Sequence, residues 1–240
     1  MEKLLANPPP FQLSFQTGML AIGEPSAFGN SGTFVNNPVS LGMNETGCRA
    51  LSKDECDRIL AAFDGRNRLR NRLIFILGEK TGYRVSEILS LKVSSVFSDG
   101  KVNKNMTVLA AWMKGKKKSR TMPINPAVAD ALVAYLRHAH MDHPIFSDFP
   151  LFPAQGSRKA MTSRQVFDII IEAAERAGVS TERLGTHSMR KTFATSLWNH
   201  PSIGHDLVKM AKALGHQNYN NTLRYLEFLD NSVEAAVLSI

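Results

Sequence analysis

The spacing of apolar side chains divides the chain into stretches of different character. From residue 7 to 47, Pro, Gly, Asn and Ser dominate, as in Pro8-Pro9-Pro10 and Gly29-Asn30-Ser31-Gly32, and no apolar period is sustained. Such a segment buries too little apolar surface to offset its chain entropy, so residues 1–48 are expected to form a largely disordered arm. Helical spacing begins near Leu51. Ser52 followed by Glu55 has the form of a capping box, and Cys56, Ile59, Leu60 and Phe63 repeat at intervals of one, three and four.

The pattern then predicts a helix over 67–79 that closes at Thr81-Gly82, where glycine accepts a left-handed cap. A short third helix follows, with Val85, Ile88 and Leu89 as its buried face. After Leu91 the residue types favour extended chain. Strands are expected over 93–97, 106–113 and 119–124, joined through Asp99-Gly100 and through 115–118, as a small three-stranded antiparallel sheet. Pro126 behind Asn125 opens a helix to about residue 140, and Ser163 opens another that ends at Gly178. Further helices fit 188–198, 206–214 and 221–228. Phe228, Leu229, Val233, Ala236, Val237 and Leu238 make an amphipathic tail helix. The fold class is therefore α+β, a mostly helical domain over residues 49–240 with one inserted sheet.

Composition narrows the partners. The chain carries 29 Lys+Arg against 21 Asp+Glu, a formal charge of +8, which favours a polyanion such as double-stranded DNA. Cys48 and Cys56 are too few for a disulfide framework and lack the spacing of a zinc site. No stretch is long and apolar enough to span a membrane, and residues 1–10 lack the order of a signal peptide. A cytoplasmic, nucleoid-associated protein is the expectation.

Breaking a phosphodiester without a metal needs cationic forks on the non-bridging oxygens, a nucleophile that can lose its proton, and an acid for the leaving oxygen. Candidates for each are present. Arg84 follows the helix-ending Thr81-Gly82-Tyr83 turn, and Glu87 is placed either to pair it on the surface or to hold its guanidinium from behind. In Thr186-His187-Ser188-Met189-Arg190, His187 and Arg190 stand three apart, so a helix would turn both to one phosphate. Gly215 could end a helix and present His216, and Tyr225 lies on a short helix where packing alone would explain it. His138 and His140 point to different sides of a helix, so no metal site is expected.

Each motif by itself is modest. In their order, Arg84, a lysine-bearing hairpin, His187-x-x-Arg190, Leu214-Gly215-His216 and Tyr225 resemble the catalytic domain of the tyrosine recombinases, the phage integrase family, over about residues 51–228. Especially similar are Thr81-Gly82-Tyr83-Arg84-Val85-Ser86-Glu87-Ile88, His187-Ser188-Met189-Arg190-Lys191-Thr192-Phe193-Ala194-Thr195, and the separation of His216 from Tyr225. The resemblance implies a site-specific recombinase that cleaves and rejoins DNA through a 3′-phosphotyrosyl bond to Tyr225, for integration, inversion or resolution. By it, Arg84 and Arg190 clamp the scissile phosphate, His216 donates to it, and His187 accepts the tyrosine proton. The general acid is then Lys114 or Lys116 in Met113-Lys114-Gly115-Lys116-Lys117-Lys118-Ser119-Arg120, with Lys114 favoured at the strand end. Lys116, Lys117, Lys118 and Arg120 are expected to contact DNA backbone. A phosphotyrosine conserves the energy of the broken linkage, so no cofactor is expected.

The family usually carries a helical DNA-clamping domain before the catalytic one, and this chain offers only the short arm. That departure implies a minimal recombinase or a weakened grip, with accessory DNA-binding proteins helping site choice. The tail helix implies a DNA-bound homotetramer if it docks on a neighbour, or packs on its own core. Rival readings are a type IB topoisomerase, against which the motif spellings argue, and a noncatalytic DNA-binding regulator of the same fold.

Overall fold

Ser52 closes the first turn of helix α1 (Lys53–Ala62) by the reciprocal arrangement its spacing to Glu55 predicts. The Glu55 amide donates to Ser52 Oγ at 3.1 Å, and the Ser52 amide donates to Glu55 Oε2 at 2.8 Å. A cap of this kind contributes about 1 kcal/mol. Glu55 also takes both terminal nitrogens of Arg49 at 2.9 and 2.7 Å, and Arg49 donates onward to the carbonyls of Ser180 and Glu182. The entry to the domain is thereby tied to a loop 131 to 133 residues downstream by roughly the strength of a charge-assisted bond.

The computed structural model describes residues 47–113, 118–216 and 218–223, all within the unit Leu41–Ile240. Nearly all of the expected arm, the hairpin tip at 114–117 and the tail helix lie outside the described residues. Among the described residues, no helix is long and apolar enough to cross a membrane.

Helix α2 (Arg68–Thr81) is the centre of the fold, with Leu73, Ile74, Phe75 and Leu77 each at most 1% exposed. Four buried residues in five exceed one amphipathic stripe, so the helix needs partners on more than one side. It packs on α4 (Pro126–His138) and α6 (Thr186–Trp198). Gly78 permits the second contact, because a Cβ there would lie 2.6 Å from Met189 Sδ. Helix α1 packs on α5 (Ser163–Arg176), and α3 (Val85–Leu89) follows α2 directly. One apolar cluster fills the space among α1 to α5, and a smaller one joins Phe193, Ala194 and Trp198 of α6 to Met210 and Leu214 of α7 (Leu207–Leu214).

The starts of α5 and α6 differ from the sequence reading. The cap of α5 is Thr162, because Gln165 three residues on returns the bond, whereas Ser163 would face the apolar Val166. Helix α6 starts at Thr186, since Ser188 Oγ accepts from the Gly185 amide, so His187 stands inside its first turn.

The expected three-stranded sheet is replaced, among the described residues, by two antiparallel hairpins. Strands β1 (Phe97–Ser98) and β2 (Lys101–Val102) form one, and β3 (Asn105–Val108) and β4 (Arg120–Pro123) the other. The first expected strand is a 3-10 turn at Val93–Ser95. Val93 and Val96 are both buried, and a strand would send residues three apart to opposite faces, whereas a 3-10 turn superposes them. Strand β3 stops at Val108, where the Ala110 amide donates to Ser119 Oγ and a second 3-10 turn leaves Leu109 and Trp112 exposed.

Replacing Gly82 by alanine is expected to destabilise the protein by about 2–4 kcal/mol, the sum of left-handed backbone strain and overpacking. Its φ is +59°, and an added Cβ would approach Phe193 Cδ1 to 2.3 Å. Urea unfolding of Gly82→Ala against the parent checks this; an unchanged midpoint would remove the steric argument.

Candidate active site

Helices α2 and α7 both end on a left-handed glycine, Gly82 (φ 59°, ψ 21°) and Gly215 (φ 67°, ψ 33°). A helix end leaves carbonyls that its own turns cannot satisfy, and here arginines from elsewhere in the chain satisfy them. Arg190, from α6 and 1% exposed, donates from Nη1 to the Gly82 carbonyl and from Nη2 to the Leu214 carbonyl at 2.7 Å. It thus bridges two helix C-termini, the ends whose dipoles favour a cation.

Arg120, the first residue of β4, approaches the same turn. Its Nη2 donates to the Thr81 carbonyl at 2.6 Å and Nη1 to the Gly82 carbonyl at 3.3 Å, and its guanidinium lies 4.5 Å from the Tyr83 ring centre. Its stem packs on Gly215, where a Cβ would be 3.1 Å from Arg120 Cδ. The Tyr83 hydroxyl donates to the Arg120 carbonyl at 2.7 Å.

Arg84 caps α3 in extended geometry. Glu87 Oε2 accepts from the Arg84 amide at 2.8 Å, and Oε1 accepts from Arg84 Nη1 at 2.7 Å. The Glu87 side chain is 1% exposed and the Arg84 side chain 21%, so the carboxylate stands behind the guanidinium and the guanidinium reaches the surface. Glu87 Oε2 also lies 3.8 Å from Arg120 Nη1.

His216 is half-buried between Arg190 and α8 (Tyr219–Leu223). Arg190 Nη2 lies 3.0 Å from Nε2, and an arginine can only donate, so Nε2 accepts and Nδ1 carries the proton toward Thr222 Oγ1 at 2.9 Å. Burial, then the charges of Arg190, Arg84 and Arg120, lower its pKa to about 4. His187 lies on the exposed edge of α6. Desolvation, followed by Arg190, Arg84 and Lys191, holds its pKa below the ordinary histidine value. Both rings are therefore neutral at neutral pH, and a neutral ring can accept a proton.

Of the residues singled out from sequence, Arg84, Glu87, Arg190 and His216 converge, and His187 lies within electrostatic reach of the two arginines. Lys118 is exposed and lines a cleft of about 1010 Å³ between β4 and α7, together with Lys209, Lys212 and His216. Tyr225, Lys114, Lys116 and Lys117 lie outside the described residues. Arg120 requires correction: grouped with the hairpin lysines as a DNA contact, it is 7% exposed and its terminal nitrogens bond protein carbonyls. Sequence reasoning missed Thr222, which is fully buried and orients His216; its only signal is its place between His216 and Tyr225. Among the described residues, no cluster of His, Cys, Asp and Glu could hold a metal ion.

Two guanidinium groups, Arg84 and Arg120, face the Glu87 carboxylate, and Arg190 lies on the same cap turn held by carbonyls, so the site carries an excess of partly buried positive charge. Dehydrated charge of one sign is stabilised by an opposite charge, and planar N–H forks suit a tetrahedral oxyanion. The arrangement has the chemistry to receive an anion of the phosphate kind, with the neutral imidazole of His216 against Arg190.

Comparison with known proteins agrees with this chemistry. The model of the phage integrase family matches residues 49–231. Tyrosine recombinase XerD of Caulobacter vibrioides is 32% identical over 186 residues, covering 74% of this chain and 56% of the relative. Tyrosine recombinase XerH of Campylobacter jejuni is 27% identical over 190 residues, covering 78% and 50%. Among solved structures, XerH bound to a palindromic difH substrate in a post-cleavage complex superposes with a TM-score of 0.61 at 28% identity, covering 79% of this chain and 52% of that one. The chain spans about half the length of these relatives.

The low pKa of His216 makes stability depend on pH. Between the ordinary value of 6.5 and about 4, the unfolded chain takes up a proton that the folded site refuses. Stability should therefore fall as pH drops through that window. Urea midpoints measured from pH 7 to 4 check this, and in His216→Gln that part of the decline should flatten. Equal slopes in both proteins would place the imidazole outside the cation cluster.

Proposed function

The chain belongs to the phage integrase family, and from that membership we propose that it is a site-specific DNA recombinase that cleaves and rejoins double-stranded DNA through a 3′-phosphotyrosyl intermediate. The observation that carries this reading is the cluster in which Arg190 bonds the carbonyls of two helix ends and His216, with Arg84 held by Glu87 at the same turn. It supplies fixed donors for an oxyanion before substrate arrives, which is how preorganised electrostatics lower a barrier. The DNA-bound recombinase among the similar structures supports DNA as the substrate.

In the proposed reaction Arg84 and Arg190 bind the non-bridging oxygens of the scissile phosphate. An unperturbed tyrosine has a pKa of about 10 and needs a base at neutral pH. Tyr225 Oη attacks phosphorus as His187 takes its proton, the bond from phosphorus to O5′ breaks, and Lys114, or Lys116 in its place, protonates O5′. The 5′-hydroxyl of a second strand reverses these steps and releases Tyr225. The phosphate charge offsets the cations that depress His216, raising its pKa and favouring a proton on Nε2, where it can donate to the oxyanion. Exchange between two sites requires protomers on paired DNA, so the working form proposed is a homotetramer, assisted by accessory DNA-binding proteins.

A nicked suicide substrate tests the reaction. The parent should form a covalent protein–DNA adduct, Tyr225→Phe should form none, and Arg190→Lys should slow adduct formation by about 100-fold or more. DNA binding with no adduct would sink the enzyme reading, and supercoil relaxation without recombinant products would favour a topoisomerase.

The acid is tested separately with a 5′-bridging phosphorothiolate, whose sulfur leaves without a proton. Lys114→Ala should lose cleavage of the oxygen ester and recover on the thiolate. If Lys116→Ala does so instead, that lysine is the acid.

A further inference from the structure

We infer that Arg120 is a positioning residue for the proposed cleavage reaction: it holds the cap turn on which Arg190 rests and flanks the carboxylate that holds Arg84. The inference rests on the recombinase reading for its reaction, though not for its geometry. Gly82 offers one carbonyl to two guanidinium groups, Nη1 of Arg120 and Nη1 of Arg190, so the two side chains share an acceptor. The Thr81 carbonyl beside it is taken by Arg120 Nη2. Glu87 touches Arg84 with one oxygen and faces Arg120 with the other. The Arg120 stem lies against Gly215, whose neighbours Leu214 and His216 both bond Arg190. Arg120 is thus wedged between the two helix ends that Arg190 bridges, and it also meets the partner of Arg84.

Packing alone does not account for an arginine there. Desolvation and the nearby charges of Arg190 and Arg84 work against its cation, lowering its pKa to about 10, which still leaves it charged at neutral pH. Its Nε is buried with no hydrogen-bond partner among the described residues. An apolar side chain of similar volume would avoid both penalties. What an apolar side chain cannot do is hold two adjacent carbonyls in one plane. Arg120 itself is 7% exposed and pinned inward, so its effect reaches a bound phosphate through Arg190 and Arg84.

The test compares Arg120→Gln and Arg120→Lys with the parent in the full chain, using three readouts. Thermal melting reports folding. Binding of orthovanadate, followed by 51V NMR line width, reports the oxyanion site without any cleavage. Adduct formation is measured on two nicked duplexes, one with an ordinary scissile phosphate and one with a methylphosphonate, which lacks the charge that the arginines neutralise.

Arg120→Gln is expected to melt cooperatively, to bind vanadate at least about tenfold more weakly, and to form adduct at least about tenfold more slowly on the phosphate. On the methylphosphonate its rate should stay within about threefold of the parent, because the misplaced charge contacts matter less there. Arg120→Lys, which keeps the cation but not the planar fork, should fall between the two and carries the comparison if Arg120→Gln does not fold. Vanadate affinity equal to the parent's, or equal losses on both duplexes, overturns the inference. If the parent itself makes no adduct, the recombinase reading fails, and vanadate binding alone decides the role of Arg120.

Discussion

The bond between Arg190 and the carbonyls at the ends of α2 and α7 is the interaction on which the rest of the site depends. Helix ends leave their last carbonyls open, and burying them unsatisfied would cost a few kcal/mol. Arg190 answers that need at two ends at once. In doing so it ties α6 to both helices and brings its guanidinium to the place where Arg84 emerges from the next turn. The left-handed glycines matter for this reason: Gly82 and Gly215 turn the chain sharply enough for one buried side chain to reach both sets of carbonyls. A structural requirement of the fold and a binding requirement of the site are met by the same atoms.

That economy has an electrostatic consequence. Arg84 and Arg120 share one carboxylate, Glu87, and Arg190 is held by carbonyls beside them, so the three cations repel one another. The apolar scaffold tolerates it because the repelling groups are anchored individually, each to carbonyls or to Glu87, and because α2 is held from several sides by the main cluster. Burial first, and the same field after it, keep His216 neutral and lower the pKa of His187. A site built in this way suits an anion, since a phosphate bound there, as proposed, would relieve the repulsion and raise the pKa of the imidazoles. In the proposed reaction, rigid donors would let binding energy act on the phosphate in place of reorganising the protein.

Much of this was legible in residue order. The capping box at Ser52, the glycine stops at Gly82 and Gly215, the pairing of Arg84 with Glu87 and the spacing of His187 to Arg190 are local patterns, governed by bonds between residues one to four apart. Ordered together, they resembled one family, and the family match over residues 49–231 agrees. The misreadings share a cause. Residues 93–97 have the composition of a strand, yet Val93 and Val96 must both face the core, and only a turn of period three does that. Arg120 follows a run of lysines and reads as one more surface cation until the cap turn of α2, some forty residues earlier in the chain, is found against it.

By itself, then, the sequence determined the helices, their glycine stops, the basic character and the order of the reactive side chains, because short-range geometry is nearly the same in any fold. Tertiary structure alone decided which cations are buried, which carbonyls they hold, and that Thr222 orients His216. Those outcomes depend on atoms far apart in the chain meeting at 3 Å or so, and on the loss of water where they meet, neither of which a local pattern encodes.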